Sequence, residues 1–202
     1  MYRVVDMEHE PRRRQYEYFR DYANPYASLT AQCDITALRG VNPFFLTILY
    51  CAVNAANAVP ELRRRIKDGQ VVEYDKCLSS HTVALPDETY CYCELDCSMP
   101  YADFIPYALE RVEAAKMTRL FSDADPESLY FVSCVPWVSF TNIGHPLPMP
   151  ADSTPRITFG KAYERDGRYW LPVDLTVNHA LADGVHIGKF FQKLDENFSK
   201  RP

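Results

Sequence analysis

The chain reads as one domain of the α/β or α+β class, and three observations predict it. Its 202 residues, 47% of them hydrophobic, suffice for a single sizeable core. Apolar residues recur at helical spacing in some segments and alternate at strand spacing in others, and the two kinds interleave along the chain. No repeat, low-complexity tract or linker-like stretch divides it.

The elements follow in order. Residues 10–20 make an amphipathic helix with Tyr16, Tyr18 and Phe19 on its aromatic side. Residues 29–35 are extended. Pro43 suits the first turn of a long buried helix that Pro60 closes, because proline lacks the N–H that a helix interior needs. The apolar stretch 43–59 carries Thr47, Asn54 and Asn57, and is too short and too polar to span a membrane. Asp68-Gly69 is a hairpin-type turn signal, so residues 70–74 form a strand. Further strands are expected at 82–85 and 89–95. Phe104, Ala108, Leu109, Val112 and Ala115 give residues 101–119 a helical period. The second half is richer in strands: 129–135, 137–141, and then 156–163 and 169–177 around the turn Arg165-Asp166-Gly167-Arg168. A last helix, 183–198, carries Ile187, Phe190, Phe191 and Leu194 on one side.

Composition excludes several functions. The seven glycines form no G-x-G-x-x-G or Walker loop, so Rossmann-type and P-loop nucleotide chemistry is not expected. With 22 Lys+Arg against 27 Asp+Glu the net charge is −5, which argues against nucleic-acid binding. The clusters Arg12-Arg13-Arg14 and Arg63-Arg64-Arg65 read as solvated helix faces, with a compact anion as the other use. The N-terminus has no apolar leader core, and seven cysteines is an odd number; reduced thiols in the cytoplasm are the expectation. Cys91-x-Cys93-x3-Cys97 alternates like a strand and matches no common zinc spacing, so no metal is expected there.

The chemistry concentrates in residues 175–190. A hydrophobic strand runs into His179, and Asp183-Gly184 opens a helix, so the histidine lies in a turn between two rigid elements. Asp183 can be a helix cap as readily as a functional carboxylate. His179 can be a core histidine or a reactive one. Metal binding by His179, Asp183 and His186 would need convergence that the break at Gly184 spoils.

His179-Ala-Leu-Ala-Asp183-Gly184 resembles the H-x-x-x-D-G signature of the chloramphenicol acetyltransferase family, within the wider superfamily of CoA-dependent acyltransferases. Other blocks are similar too. Phe131-Val-Ser-Cys-Val-Pro-Trp137 matches the family's segment ending in Pro-Trp, and Gln15-Tyr-Glu-Tyr-Phe-Arg20 its aromatic N-terminal helix. Ala52-Val-Asn54 with Glu61-Leu-Arg-x-x-Ile66-Lys-Asp68 matches its long helix and the strand entry after it. The spacings are close to the family's, so the resemblance covers nearly the whole chain.

The resemblance implies a single domain over 1–202, a mixed β-sheet flanked by helices, and an acetyl-CoA-dependent O-acetyltransferase acting on a small hydroxylated molecule. Under it His179 is the general base, a task suited to imidazole with its ordinary pKa of about 6.5. Ser133 donates to the oxyanion of the tetrahedral intermediate, and Thr158 holds a water beside it. Asp183 is a structural carboxylate paired with Arg12, or with Arg13 as the near neighbour. Trp137 lies beside the CoA arm, and Tyr18, Phe19 and Thr82 line the acceptor pocket. A homotrimer with active sites between subunits is implied, with acetyl-CoA as co-substrate and no metal, nucleic acid or membrane. Antibiotic resistance is the associated role, with chloramphenicol or another alcohol as acceptor.

The sequence also departs from the drug-inactivating members. The usual adjacent histidines are Asn178-His179, Leu181-Ala182 precedes Asp183, Phe131 replaces a polar residue, and Tyr26 stands at a pocket cysteine. A relative that binds ligands without turnover is the alternative. The dihydrolipoyl acyltransferase cores share the motif but carry upstream lipoyl segments that 202 residues leave no room for.

Overall fold

A computed structural model describes residues 1–123 and 125–202. In chain order its elements are β1 (Tyr2–Val4), α1 (Arg13–Phe19), β2 (Tyr26–Asp34), α2 (Phe44–Asn57), β3 (Arg64–Lys67), β4 (Gln70–Tyr74) and β5 (Leu78–Ala84). β6 (Tyr90–Leu95), α3 (Tyr101–Thr118), β7 (Leu129–Cys134), β8 (Arg156–Phe159), β9 (Tyr163–Arg165), β10 (Arg168–Asn178) and α4 (Gly184–Lys200) follow. Seven strands form a mixed sheet in the order β2-β10-β8-β7-β5-β6, with β9 added to β10. β7 runs parallel to both β5 and β8, and the other pairings are antiparallel. A smaller sheet, β1-β4-β3, lies apart from it.

α2 is buried along most of its length, from Leu46 through Ala56, and its buried residues join those of β5–β8, β10 and α4 in one apolar cluster. The polar residues within it are satisfied internally. Thr47 donates to the Pro43 carbonyl at 2.8 Å, and Asn54 donates to the carbonyls of Tyr50 and Cys97, both at 3.0 Å. Those bonds make a helix with this polar content stable inside a protein. In α4, Ile187, Phe190, Leu194 and Phe198 are buried, while the opposite face is charged.

Several expectations are corrected. Residues 137–141 are not a strand. Pro136 has no N–H to give, and the backbone instead turns: Val138 donates to the Val135 carbonyl at 3.3 Å and accepts from Lys161 at 2.8 Å. The run 156–163 is two strands, β8 and β9, parted at Gly160. There a Cβ would lie 2.9 Å from the Phe140 ring and 3.1 Å from Pro172, so only glycine permits the close approach. Arg63-Arg64-Arg65 is not a solvated helix face. Arg64, in β3, is buried between Glu73 and Glu10, and Arg65 is fully buried, donating to the carbonyls of Leu62, Arg64 and Leu129. β1 and β3 are strands that periodicity did not announce. Their partner β4 follows the expected Asp68-Gly69 turn, where both residues have positive φ, 49° and 77°.

His81, on β5, is 2% exposed and packs against Phe45, and its Nδ1 has no hydrogen-bond partner among the described residues. Burial pushes its pKa down from 6.5 to about 4, against a smaller opposing effect of the Cys93 backbone. A group depressed on folding is neutral in the native state, so its contribution is fully present above pH 6.5 and is lost as pH falls toward 4. The loss amounts to about 3 kcal/mol. Urea midpoints measured from pH 7.5 to 4.5 should fall less steeply for His81→Leu than for the wild-type protein. Equal slopes would remove His81 as a source of acid sensitivity.

Candidate functional site

β10 carries the site. It is held in a nine-residue antiparallel ladder with β2, from Trp170↔Asp34 to Asn178↔Tyr26, and ends where a tight turn leads into α4. Asn178 organises that turn. Its carbonyl accepts from Leu181 (3.0 Å) and Ala182 (3.1 Å), its Oδ1 accepts from the N–H of Ala180, and its amide donates to the Asp152 carbonyl.

His179 follows immediately. Its N–H donates to the Pro25 carbonyl at 2.6 Å, and its ring stacks on Phe19 with centroids 4.2 Å apart and planes 9° apart. Nδ1 lies 3.2 Å from the Ala182 carbonyl, a group that can only accept. The neutral ring therefore carries its proton on Nδ1 and leaves a lone pair on Nε2.

Asp183 serves as cap and as ion-pair partner at once. It accepts from the N–H of Val185 at 3.1 Å, while its own N–H donates to His186 Nδ1 at 3.1 Å. Arg12, just before α1, donates to the Asp183 carboxylate and, through Nη2, to the His179 carbonyl at 3.1 Å. Burial works against ionisation of Asp183, but the Arg12 guanidinium and neighbouring donors outweigh it and hold the carboxyl below its usual range.

A second region lies further back along the strand. By register, Thr30 of β2, Asp174 of β10, Thr158 of β8 and Ser133 of β7 are successive partners, which places four polar side chains in one row across the sheet. The row leads into a cleft of about 990 Å³ lined by Thr82, Phe131, Ser133, Trp137, His145 and Thr158, among others. Trp137 is 75% exposed at its margin.

The residues singled out from sequence thus fall in two groups. Ser133, Thr158, Thr82 and Trp137 share the cleft. His179, Asp183, Arg12 and Phe19 form the turn. Tyr18, in ring contact with Phe19 and Tyr22, is 64% exposed beside it. One chain does not bring the groups together. His179 is five residues beyond Asp174, the register partner of Thr158, which puts it about 16 Å further along the strand.

One residue in the cleft was missed from sequence. His145 comes from the irregular segment 135–155, and its Nε2 sits 3.1 Å from Thr158 Oγ1 and 3.9 Å from Asp174 Oδ2. The only signal was a histidine between Gly144 and Pro146 in a loop with no period.

Among the described residues, no group of His, Cys, Asp and Glu is arranged to hold a metal ion. Cys91 and Cys93 lie on the buried face of β6, and His186 is engaged by Asp183 and sits 3.6 Å from Glu61. No helix among the described residues is long and apolar enough to cross a membrane.

Comparison with known proteins gives a consistent picture. A family model described as chloramphenicol acetyltransferase matches residues 1–195. Chloramphenicol acetyltransferase 3 of Escherichia coli is 30% identical over 207 residues, covering 96% of each chain. A chloramphenicol acetyltransferase of Klebsiella sp is 28% identical, covering 96% of this chain and 93% of its own. Among solved structures, a chloramphenicol acetyltransferase superposes with a TM-score of 0.82 at 26% identity, covering 98% of this chain and 100% of that one. The dihydrolipoamide acetyltransferase of Azotobacter vinelandii shares the fold alone, with a TM-score of 0.68 at 18% identity, over 98% of this chain and 89% of its own.

Proposed function

Since the chain belongs to the chloramphenicol acetyltransferase family and is an acetyl-CoA-dependent O-acetyltransferase, we propose how its residues divide the reaction between two copies of the chain. Nε2 of His179 removes the proton from the acceptor hydroxyl as that oxygen attacks the thioester carbonyl of acetyl-CoA. The Ser133 hydroxyl donates a hydrogen bond to the oxyanion of the tetrahedral intermediate, and Thr158 holds a water beside it. Collapse of the intermediate breaks the carbon–sulfur bond, and the imidazolium returns its proton to the departing CoA thiolate. The products are the O-acetyl ester and CoA. Arg12 and Asp183 hold the turn, so that Nε2 keeps its direction. Trp137 lies against the CoA arm, and Thr82, Phe19 and Tyr18 bound the acceptor.

The observation that carries this division is the offset of about 16 Å along β10 between His179 and Asp174, the register partner through which the row runs to Thr158 and Ser133. Groups so far apart cannot act on one carbonyl, and a symmetric ring of copies would bring the turn of one chain to the cleft of the next. We read the assembly as a homotrimer and residues 1–202 as one acyltransferase domain. The single large apolar cluster supports the latter. The acceptor is a small alcohol, with chloramphenicol the first candidate and drug inactivation the role. Seven unpaired cysteines favour a reducing, cytoplasmic setting.

The test is acetyl-CoA with chloramphenicol and then with a panel of small alcohols, following free thiol and ester together. Thiol and ester should appear in equal amounts with chloramphenicol. Ester from another alcohol but none from chloramphenicol would reject the acceptor named here. Thiol without ester would reject acyl transfer to a hydroxyl.

A further inference from the structure

Three facts place His145 at an unusual point. It lines the cleft, its Nε2 contacts Thr158 Oγ1 at 3.1 Å, and the same nitrogen is 3.9 Å from Oδ2 of Asp174. Asp174 is fully buried and already accepts from two hydroxyls, Thr30 at 2.8 Å and Thr176 at 3.0 Å. It is also the register partner of Thr158, so the two side chains stand side by side with Cβ atoms about 5 Å apart. A threonine hydroxyl has one proton, and a buried carboxylate next to it is the strongest nearby acceptor. Left alone, Thr158 would turn that proton toward Asp174 and away from the cleft.

We propose that His145 is a positioning residue that fixes the direction of the Thr158 hydroxyl, with Asp174 fixing His145 in turn. Nε2–H donates to Thr158 Oγ1 and occupies the side of that oxygen facing the carboxylate. The Thr158 proton is then directed into the cleft, toward the water or intermediate beside Ser133.

The charged groups around the ring agree with this tautomer. Burial lowers the His145 pKa, Asp174 opposes that effect, and Arg156 adds to it, so the net shift is downward and the neutral ring prevails at neutral pH. At 3.9 Å Asp174 accepts no hydrogen bond from the ring, but its negative charge favours the tautomer that carries the proton on Nε2, the nitrogen beside it. Arg156 is itself held by Asp152 through two hydrogen bonds, at 2.9 and 2.7 Å, and does not compete for Asp174.

The inference rests on the role proposed above for Thr158, and the experiment separates the two. First, the full-length protein is labelled with ¹⁵N-histidine, and the His145 signals are assigned by their loss in His145→Gln. An Nε2–H tautomer at pH 8 is expected, and an Nδ1–H tautomer overturns the proposal without reference to any acceptor. Second, His145→Leu should lower kcat about ten-fold with KM for acetyl-CoA and acceptor within about two-fold, while His145→Gln, which keeps an N–H, recovers most of the loss. In a Thr158→Val background His145→Leu should have no further effect. Independent, multiplying losses, or a loss confined to KM, overturn the proposal. If Thr158→Val alone leaves kcat unchanged, the role of Thr158 fails, and the imidazole spectrum still decides the direction of the hydrogen bond.

Discussion

His179→Ala is expected to lower kcat by about 10³- to 10⁴-fold while KM for acetyl-CoA stays within about two-fold, as for loss of a general base that acts in the transition state. The fold should survive the change. The backbone of His179 is held by its own bonds, N–H to the Pro25 carbonyl and carbonyl from Arg12, and neither involves the imidazole. The ring itself is over-determined by its stack on Phe19 and the Nδ1 contact with Ala182. His179→Gln, similar in size and polar but without a basic nitrogen, should be nearly as slow as the alanine variant. Steady-state thiol release together with circular dichroism checks both. A kcat within ten-fold of wild type would take the general-base role from His179.

Ser133→Ala should cost about 10²- to 10³-fold in kcat, or about 3 kcal/mol, the effect of removing one oxyanion donor. Its more informative use is in combination. Ser133 is in the cleft and His179 in the turn, and if each site takes one group from each of two copies, defects in different chains can complement. Chains carrying Ser133→Ala and chains carrying His179→Ala, nearly inactive alone, should regain activity when co-assembled in equal amounts. In a ring with random placement, a site is intact when a chain with a good histidine faces one with a good serine. That happens with probability one half times one half, so about a quarter of wild-type activity returns. Activity that stays at the level of the separate variants would place both groups of each site on one chain.

The helices were legible because their signals are local. Pro43 and the largely apolar run after it located α2, the period of Phe104, Ala108 and Ala115 located α3, and Asp183-Gly184 marked the start of α4. The turn at Asp68-Gly69 was equally plain. The three arginines before it were not. Whether Arg65 is solvated or buried depends on carbonyls of Leu62 and Leu129, the second of them 64 residues away. The segment 135–155 was the least readable. Its course is set by contacts such as Lys161 with Val138 and Gln32 with Phe140 rather than by any period. His145 reaches Thr158 only because that loop folds back over the sheet. For the same reason, the turn residues His179 and Asp183 could be recognised from a motif, but the distance from them to Ser133 could not. That distance is a property of strand pairing.

The polar row and the histidine turn both hang on β10, and this makes the strand a shared ruler. Side chains alternate across a sheet, so inserting or deleting one residue between Asp174 and Asn178 would rotate one group to the opposite face relative to the other. It would also break the pairing with β2 that sets the height of the turn. Length changes in the loop 135–155 leave that alternation intact and act instead on the contacts the loop itself makes, among them His145 with Thr158 and Asp152 with Asn178. Diversification of the acceptor cleft in descendants of this chain is therefore open to loop-length variation after β7 and to side-chain replacement on β5 and β6, whereas β10 admits substitution but not a change of length.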